Sequence, residues 1–343
     1  MKLVTIEERP FNAETPLAEM AREITPTANF YVRSHFDMPR LDAAGHHLSV
    51  EGAIERPRAW SLSEVRSLPR HTITATLECA GNGRTRLEPP VPGVRWGFGA
   101  AGTASFAGTS LHHLLDGSGV RGSAVEALFV GADRGAVAPG RIVAFERSLP
   151  MELARHPDTL LAWEMNGEPL TVEHGAPLRL VVPRWYAVAS VKWLTQVRLL
   201  EIPFSGHFQD EKYVYEREHG TPEKTPVSTM RVRAVIARPA EGTRLPRGVT
   251  EIAGTAWSGD GRVERVEVSV DGGKSWCEAA LGRAVSEHAW VPWKLSWNFT
   301  APGHCLLMAR ATDASGQGQP MESSWNAQGY GNNVVHQVRV EIL

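Results

Sequence analysis

Apolar and polar positions follow two different periods along this chain. In Leu48 to Pro57 the apolar side alternates, with Leu48, Val50 and Gly52 on one face, which predicts a strand. Ser61-x-x-Glu64 then forms a capping box that opens a short helix, with Leu62, Val65 and Leu68 inward and Pro69 beyond its end. His71 to Cys79 is rich in β-branched residues and predicts a strand running straight into the loop Ala80–Arg84. A helix over Thr109–Asp116 is expected to close at Gly117. An apolar strand follows over Val125–Val130, then a helix in 148–155 and a strand in 159–165. Leu178–Trp185 reads as a buried strand that ends at a proline, and Val188–Glu201 is a further apolar stretch.

After Glu201 the pattern changes. Residues 203–228 are polar and charged, carry Pro222 and Pro226, and read as a linker. From Met230 onward helical periodicity is almost absent. Val266, Val268 and Val270 alternate with Arg265, Glu267 and Ser269 before the turn Asp271-Gly272-Gly273, and 306–312 and 334–342 repeat that style. Roughly seven short strands in about 115 residues predict an immunoglobulin-like sandwich. The expected division is 1–225 and 226–343.

A chain of 343 residues is too long for one small core and suits two domains. With 42% hydrophobic and 22% charged residues it is an ordinary folded chain rather than a disordered one. A net charge of −2 provides no global field for nucleic acid or a membrane surface. Arginine outnumbers lysine thirty to six, a bias that GC-rich coding accounts for. The longest uncharged run, Trp96–Leu115, is too polar to span a membrane. The N-terminus lacks a leader's apolar core, so a cytoplasmic location is expected, or a periplasmic one if a leader was trimmed.

Three cysteines are too few for a disulfide framework, and Cys277 and Cys305 read as small core residues. Gly97-x-Gly99-x-x-Gly102 matches a dinucleotide fingerprint, but the three prolines before it exclude the strand that such a site needs. His46-His47 and His112-His113 lack a third ligand at zinc spacing. Cys79 is different. It ends a strand, enters a loop whose two glycines permit close approach, and has Arg84 nearby to favour the thiolate. From these residues alone it is a nucleophile, a soft metal ligand or a buried thiol in a turn.

Resemblance narrows the choice. Leu77-Glu78-Cys79-Ala80-Gly81-Asn82-Gly83-Arg84 resembles the cysteine loop of the sulfite oxidase family of molybdenum enzymes. Phe30–His35, Trp163–Leu170, His174–Arg179, Ser190–Leu194, His207–Gln209 with Tyr213, and Ala256–Gly259 with Val268–Trp276 are similar to further family segments, in order, over roughly 28–343. The resemblance implies an α+β fold: a mixed α/β molybdopterin-binding catalytic domain (1–225) and an all-β dimerisation domain (226–343) that pairs two subunits. It implies one pyranopterin, molybdopterin, holding molybdenum, with Cys79 as the protein's metal ligand. Phe30, Arg33, His35, Asp133, His174, Arg179, Ser190 and Lys192 would line the cofactor, although Asp133 is equally suited to forming its turn. Arg179 and Lys192 suit a phosphate. Arg33, Arg84, Trp96 and Tyr213 would form the substrate pocket, with Tyr215 a rival to Tyr213.

Two departures stand out. Gly83 occupies a position where relatives commonly carry arginine, and so does Gln337. Arg184, where many relatives have glycine, is a candidate to restore the charge. The implied reaction is oxidation of sulfite to sulfate, with electrons passed to an external acceptor such as cytochrome c or oxygen. The alternatives are a reductase of the same family acting on nitrate or an S- or N-oxide, and a metal-free dimeric binding protein. A nucleic-acid partner and a membrane span are not expected.

Overall fold

In the computed structural model the described residues are 2–216 and 224–343. Pro222, and with it part of the expected linker, lies outside them. The first part is built on two sheets. Strands β1 (His47–Gly52) and β2 (Arg58–Ser61) lead into helix α1 (Leu62–Ser67), which carries the anticipated capping box. Strands β3 (Arg70–Glu78) and β4 (Ala101–Ser110) precede α2 (Leu111–Ser118). Then come β5 (Glu126–Ala138), β6 (Arg141–Pro150), α3 (Met151–Ala154), β7 (Leu160–Met165), β8 (Arg179–Val181) and β9 (Leu194–Leu200). One sheet has the order β2-β1-β9-β5-β6, and only β9 and β1 run parallel. The other is antiparallel, β7-β4-β3, with β8 also on β7. A buried core joins the sheets through Leu48, Phe129, Leu161, Leu180 and Val197.

The second part is a sandwich. Strands β10 (Arg233–Arg238), β11 (Gly248–Trp257) and β13 (Val291–Phe299) form one sheet with Ala280–Leu281. Strands β12 (Val263–Ser269), β14 (Gly303–Asp313) and β15 (His336–Ile342) form the other with Thr243–Leu245 and Cys277–Glu278. Ile236, Ile252, Val266, Trp293, Leu307 and Val340 fill the space between them. Among the described residues no helix is long and apolar enough to cross a membrane.

Several expected boundaries move. The 109–116 helix starts at Leu111, because Thr109 and Ser110 are held in the β4 ladders, and it stops at Gly119 (φ +70°) rather than Gly117. Of 148–155, the residues up to Pro150 pair with β5 and leave one helical turn. Only Arg179–Val181 of the 178–185 stretch is strand, since the chain turns at Arg184 (φ +67°). The 188–201 stretch becomes strand at Leu194, after a single turn over Ala187–Ala189. Cys277 and Cys305 are half-buried rather than core.

β4 and β7 touch most closely at a bulge beside Gly108, where an added Cβ would lie 1.9 Å from the Leu161 carbonyl oxygen. Gly108→Ala is therefore expected to push the strands apart and cost about 1–3 kcal/mol, measured by urea denaturation.

Candidate active site

Strand β3 delivers the cysteine. Successive residues of a strand face opposite sides, and Glu78 and Cys79 use both. On one side, Cys79 sits where two cavities meet. Arg33, His35, Cys79 and Tyr213 line both the inner and the outer cavity. On the other side, Glu78 is fully buried against the sandwich. Its Oε1 lies 2.8 Å from Arg233 Nε, and its Oε2 accepts a 2.9 Å hydrogen bond from Trp257 Nε1. Asn82 Nδ2 also donates to Glu78 Oε1, at 3.0 Å, and Arg233 donates to the Asn82 and Asn332 carbonyls. Asn332 Nδ2 in turn donates to the Gly83 carbonyl at 2.9 Å. Gly83 takes φ +83°, the left-handed region that favours glycine. The cysteine loop is thus held from beneath by residues of the second part.

Arg84 packs inside the loop. A Cβ on Gly81 or Gly93 would lie 2.7 or 3.0 Å from its Nη1, so both glycines make room for the guanidinium. Its amines donate to the Val94 and Gln328 carbonyls at 2.9 and 3.0 Å, and it lies over the Tyr330 ring at 5.2 Å. The thiol of Cys79 is pushed above its ordinary range by burial, with Arg33 and then Arg84 working the other way. Arg84 does pull toward thiolate, as expected, but burial outweighs it in the protein alone.

The inner cavity brings together Phe30, Arg33, His35, Asp133, His174, Arg179, Ser190 and Lys192, all of the expected cofactor residues. Arg179 is buried and donates only to backbone carbonyls: His174 at 3.1 Å, Ser190 at 3.2 Å and Leu180 at 3.3 Å. Burial lowers it to about 10. Lys192 donates to the Glu173 carbonyl at 2.8 Å, and burial together with Arg179 lowers it to about 7. Burial and Lys192 lower His174 to about 3, which keeps it neutral. Asp133 is raised to about 6 by burial, and its buried Oδ1 has no partner among the described residues. Arg33, Arg179 and Lys192 line the cavity together with Asp133 and Glu173, and Arg179, held by carbonyls rather than by a carboxylate, suits an anionic group such as a phosphate.

The outer cavity is lined by Arg33, Arg84, Trp96 and Tyr213, as expected. Trp96 is buried, and its indole Nε1 and Arg84 Nε have no hydrogen-bond partner among the described residues. Tyr213 is buried with φ +57°, its hydroxyl 2.6 Å from His35 Nε2, and does not share the exposure of its charged neighbours. Its rival Tyr215 lies under Arg231, 4.8 Å away. Arg184 is a correction. It lines neither cavity at Cys79; its guanidinium lies 3.6 Å from Glu287 and 3.4 Å from His288 Nδ1, because the turn at Arg184 carries the side chain toward the sandwich. Gln337 accepts a hydrogen bond from Arg86 at 3.0 Å.

Several lining residues were not anticipated. Lys212 and His207 line the outer cavity, as do Gln328 and Tyr330, and Tyr330 stacks on Tyr213 at 4.6 Å. Lys212 adjoins Tyr213 and was legible from that adjacency. Gln328 and Tyr330 come from a distant loop, and no local pattern marks them.

Two family models cover the chain: "Oxidoreductase molybdopterin binding domain" over residues 35–208 and "Mo-co oxidoreductase dimerisation domain" over 224–343. The chain is 35% identical to the mitochondrial sulfite oxidase of Rattus norvegicus, over 98% of this chain and 65% of that protein. It is 33% identical to the sulfite oxidase of Arabidopsis thaliana, over 98% and 93% of the two. The crystal structure of the sulfane dehydrogenase SoxCD from Paracoccus pantotrophus superposes with a TM-score of 0.87 at 29% identity, covering 98% of this chain and 87% of that one. The chain therefore spans about two thirds of the length of the rat relative.

The clamp beneath the loop makes a quantitative prediction. Arg233→Met leaves Glu78 charged, buried and unpaired, and is expected to cost about 3–5 kcal/mol in denaturant unfolding. Pairing it with Glu78→Gln should recover most of that loss. A double variant no better than the single one would show that Arg233 acts mainly through its carbonyl bonds.

Proposed function

The chain belongs to the molybdopterin-binding oxidoreductase family that contains the sulfite oxidases, and on that premise we propose that it oxidises sulfite to sulfate and passes two electrons to an external acceptor such as a cytochrome c or oxygen. The second domain is proposed to pair two copies of the chain. The cofactor is molybdenum–molybdopterin. Its fit rests on the inner cavity, where Lys192 and Arg179 suit an anionic group and the Asp133 oxygen, unpartnered among the described residues, can accept from an N–H donor of the guest. Lys192 and Arg179 would hold the phosphate, and Cys79 would ligate the metal with a soft anionic sulfur. When bound, that group supplies the two-electron couple and the transferable oxygen.

One observation carries the choice of an oxyanion substrate. The outer cavity beside Cys79 is lined by Arg33, Arg84 and Lys212, and no carboxylate side chain lines it among the described residues. Arg84 is locked by its carbonyl bonds, so its charge is fixed before an anion arrives. Lys212 is exposed at the mouth and can meet the anion first. Conversion of sulfite and water to sulfate releases two protons along with the two electrons. His35 is kept neutral by burial and Arg33, and it shares the 2.6 Å bond with the Tyr213 hydroxyl. That pair fixes the phenol in the lining that both cavities share with Cys79.

Molybdenum-loaded protein is expected to reduce ferricyanide only when sulfite is present. Cys79→Ser should abolish turnover, and Lys212→Gln should raise KM several-fold with kcat nearly unchanged. Metal without sulfite turnover would favour a reductase of the family. No molybdenum from a replete host would favour a binding protein.

The inner cavity adds a pH dependence. Lys192 titrates near 7 in the ligand-free fold, against an ordinary value of 10.5. Between those values the unfolded chain holds a proton that the native chain lacks, so ligand-free stability rises with pH through that window. An anion restores the proton. Binding of inorganic pyrophosphate to the ligand-free protein is therefore expected to take up a proton above pH 7 and to weaken as pH rises further. Calorimetry in buffers of different ionisation heat measures the uptake, and Lys192→Met should remove it.

A further inference from the structure

Arg184 leads to a second cluster, at the edge of β3, where the chain at His288 runs alongside Ala75 and Thr76. His71, at the start of β3, and Asp158, just before β7, belong to the first part of the chain; Glu287 and His288 belong to the second. His288 Nε2 lies 2.9 Å from Asp158 Oδ2 and 3.7 Å from Glu287 Oε1, and the three donor atoms all fall within 4.8 Å of one another. Two atoms bound to one first-row ion at about 2.0–2.2 Å stand about 3–3.5 Å apart, so these separations need only small shifts to close on a shared ion. Each carboxylate has its other oxygen engaged. Asp158 Oδ1 meets His71 Nε2 at 2.8 Å, and Glu287 Oε2 faces Arg184 at 3.6 Å. Partners on the outer atoms fix the direction in which the inner atoms point. The His288 side chain is buried and its backbone is pinned, its carbonyl accepting from Thr76 N at 2.8 Å.

The geometry points to a binding site for a divalent first-row transition ion, with His288 Nε2, Asp158 Oδ2 and Glu287 Oε1 as ligands drawn from both parts of the chain. One imidazole and two carboxylates suit zinc or manganese and leave coordination positions for water. Two carboxylates, Asp158 and Glu287, stand beside His288 and supply the negative charge that a cation needs. Arg184, Glu287 and His288 also line a cavity at the junction, together with Arg262. Arg184 is the competitor. Its Nε is 3.4 Å from His288 Nδ1, at the long limit of a hydrogen bond, and it must yield that nitrogen, which carries a proton when Nε2 binds metal. Its grip on Glu287 Oε2 is compatible with the ion. Because the ligands come from both parts, the ion would staple the junction next to the strand that carries Cys79.

The test uses the full-length, molybdenum-loaded protein, whose Cys79 is then engaged elsewhere, and Zn²⁺ as the probe. One equivalent is expected to bind and to raise Tm, while Mg²⁺ at the same concentration leaves Tm unchanged. Asp158→Asn and His288→Ala should each weaken Zn²⁺ binding by at least tenfold. His71→Ala, which removes only an orienting partner, should weaken it by about tenfold. Arg184→Met should tighten it. Co²⁺ in place of Zn²⁺ should give visible absorption that His288→Ala removes, a readout independent of turnover. Folding of each variant is checked by its molybdenum content and circular dichroism. The inference is overturned if Zn²⁺ does not bind stoichiometrically, or if folded Asp158→Asn and His288→Ala proteins bind it as well as the parent.

Discussion

The buried ion pair between Glu78 and Arg233 fixes where the cysteine can be. A strand sends neighbouring side chains to opposite faces, so once Glu78 is committed to the sandwich, Cys79 must face the cavities. The pair is nearly inaccessible to water, so each polar atom around it that finds a partner adds to its hold. Trp257 and Asn82 serve the carboxylate, and the Asn82 and Asn332 carbonyls serve Nη2 of the guanidinium, while its Nη1 has no hydrogen-bond partner among the described residues. A one-residue slip of β3 would place a thiol against Arg233 and a carboxylate in the cavity, losing both sites at once. The register of the cysteine is therefore set by a charge on the strand's other face.

The same loop controls charge on the cavity side by a different route. Arg84 is held by two backbone carbonyls and packed by glycines, with no acidic partner. Carbonyl dipoles fix a guanidinium without cancelling its charge, whereas a carboxylate would do both. Arg179 is treated alike in the inner cavity, surrounded by the carbonyls of His174, Leu180 and Ser190. Arginines elsewhere, such as Arg70 with Glu164 and Arg141 with Glu211, are paired with carboxylates at the surface. Carbonyl anchoring leaves a charge uncancelled at the cavities, although it is not confined to them: buried Arg147 donates to the Phe208 and Val227 carbonyls and lines neither cavity.

Local pattern made the strands legible where the alternation was clean, as in Leu48–Gly52 and Val263–Ser269, and where a cap was explicit, as at Ser61 and Glu64. It failed at ends decided by tertiary pairing. Ser110 looked helical because nothing nearby shows that β7 pairs with it, and Gly119 rather than Gly117 stops the helix because only Gly119 adopts the left-handed backbone. The cavity-lining set came from resemblance, residue by residue, since Phe30, Cys79, His174 and Lys192 are far apart in sequence. Arg184 was misplaced for the same reason: its position in the chain says nothing of the turn that carries it to Glu287. Gln328 and Tyr330 were invisible because they reach the site through the packing of two separate parts.

That last point bears on what the second part of the chain is for. A domain present only to pair subunits could meet the first along any convenient face. Here it supplies Arg233 and Asn332 to the cysteine loop, the Gln328 carbonyl to Arg84, and Tyr330 to the stack on Tyr213. Each of these contacts ends on a residue that lines the cavities or on the backbone of the loop that presents the thiol. Displacing the sandwich would free the loop and remove one partner of Arg84 in a single motion. The site is accordingly a property of the junction between the two parts, and an event that shifts the junction acts directly on the geometry around the cysteine.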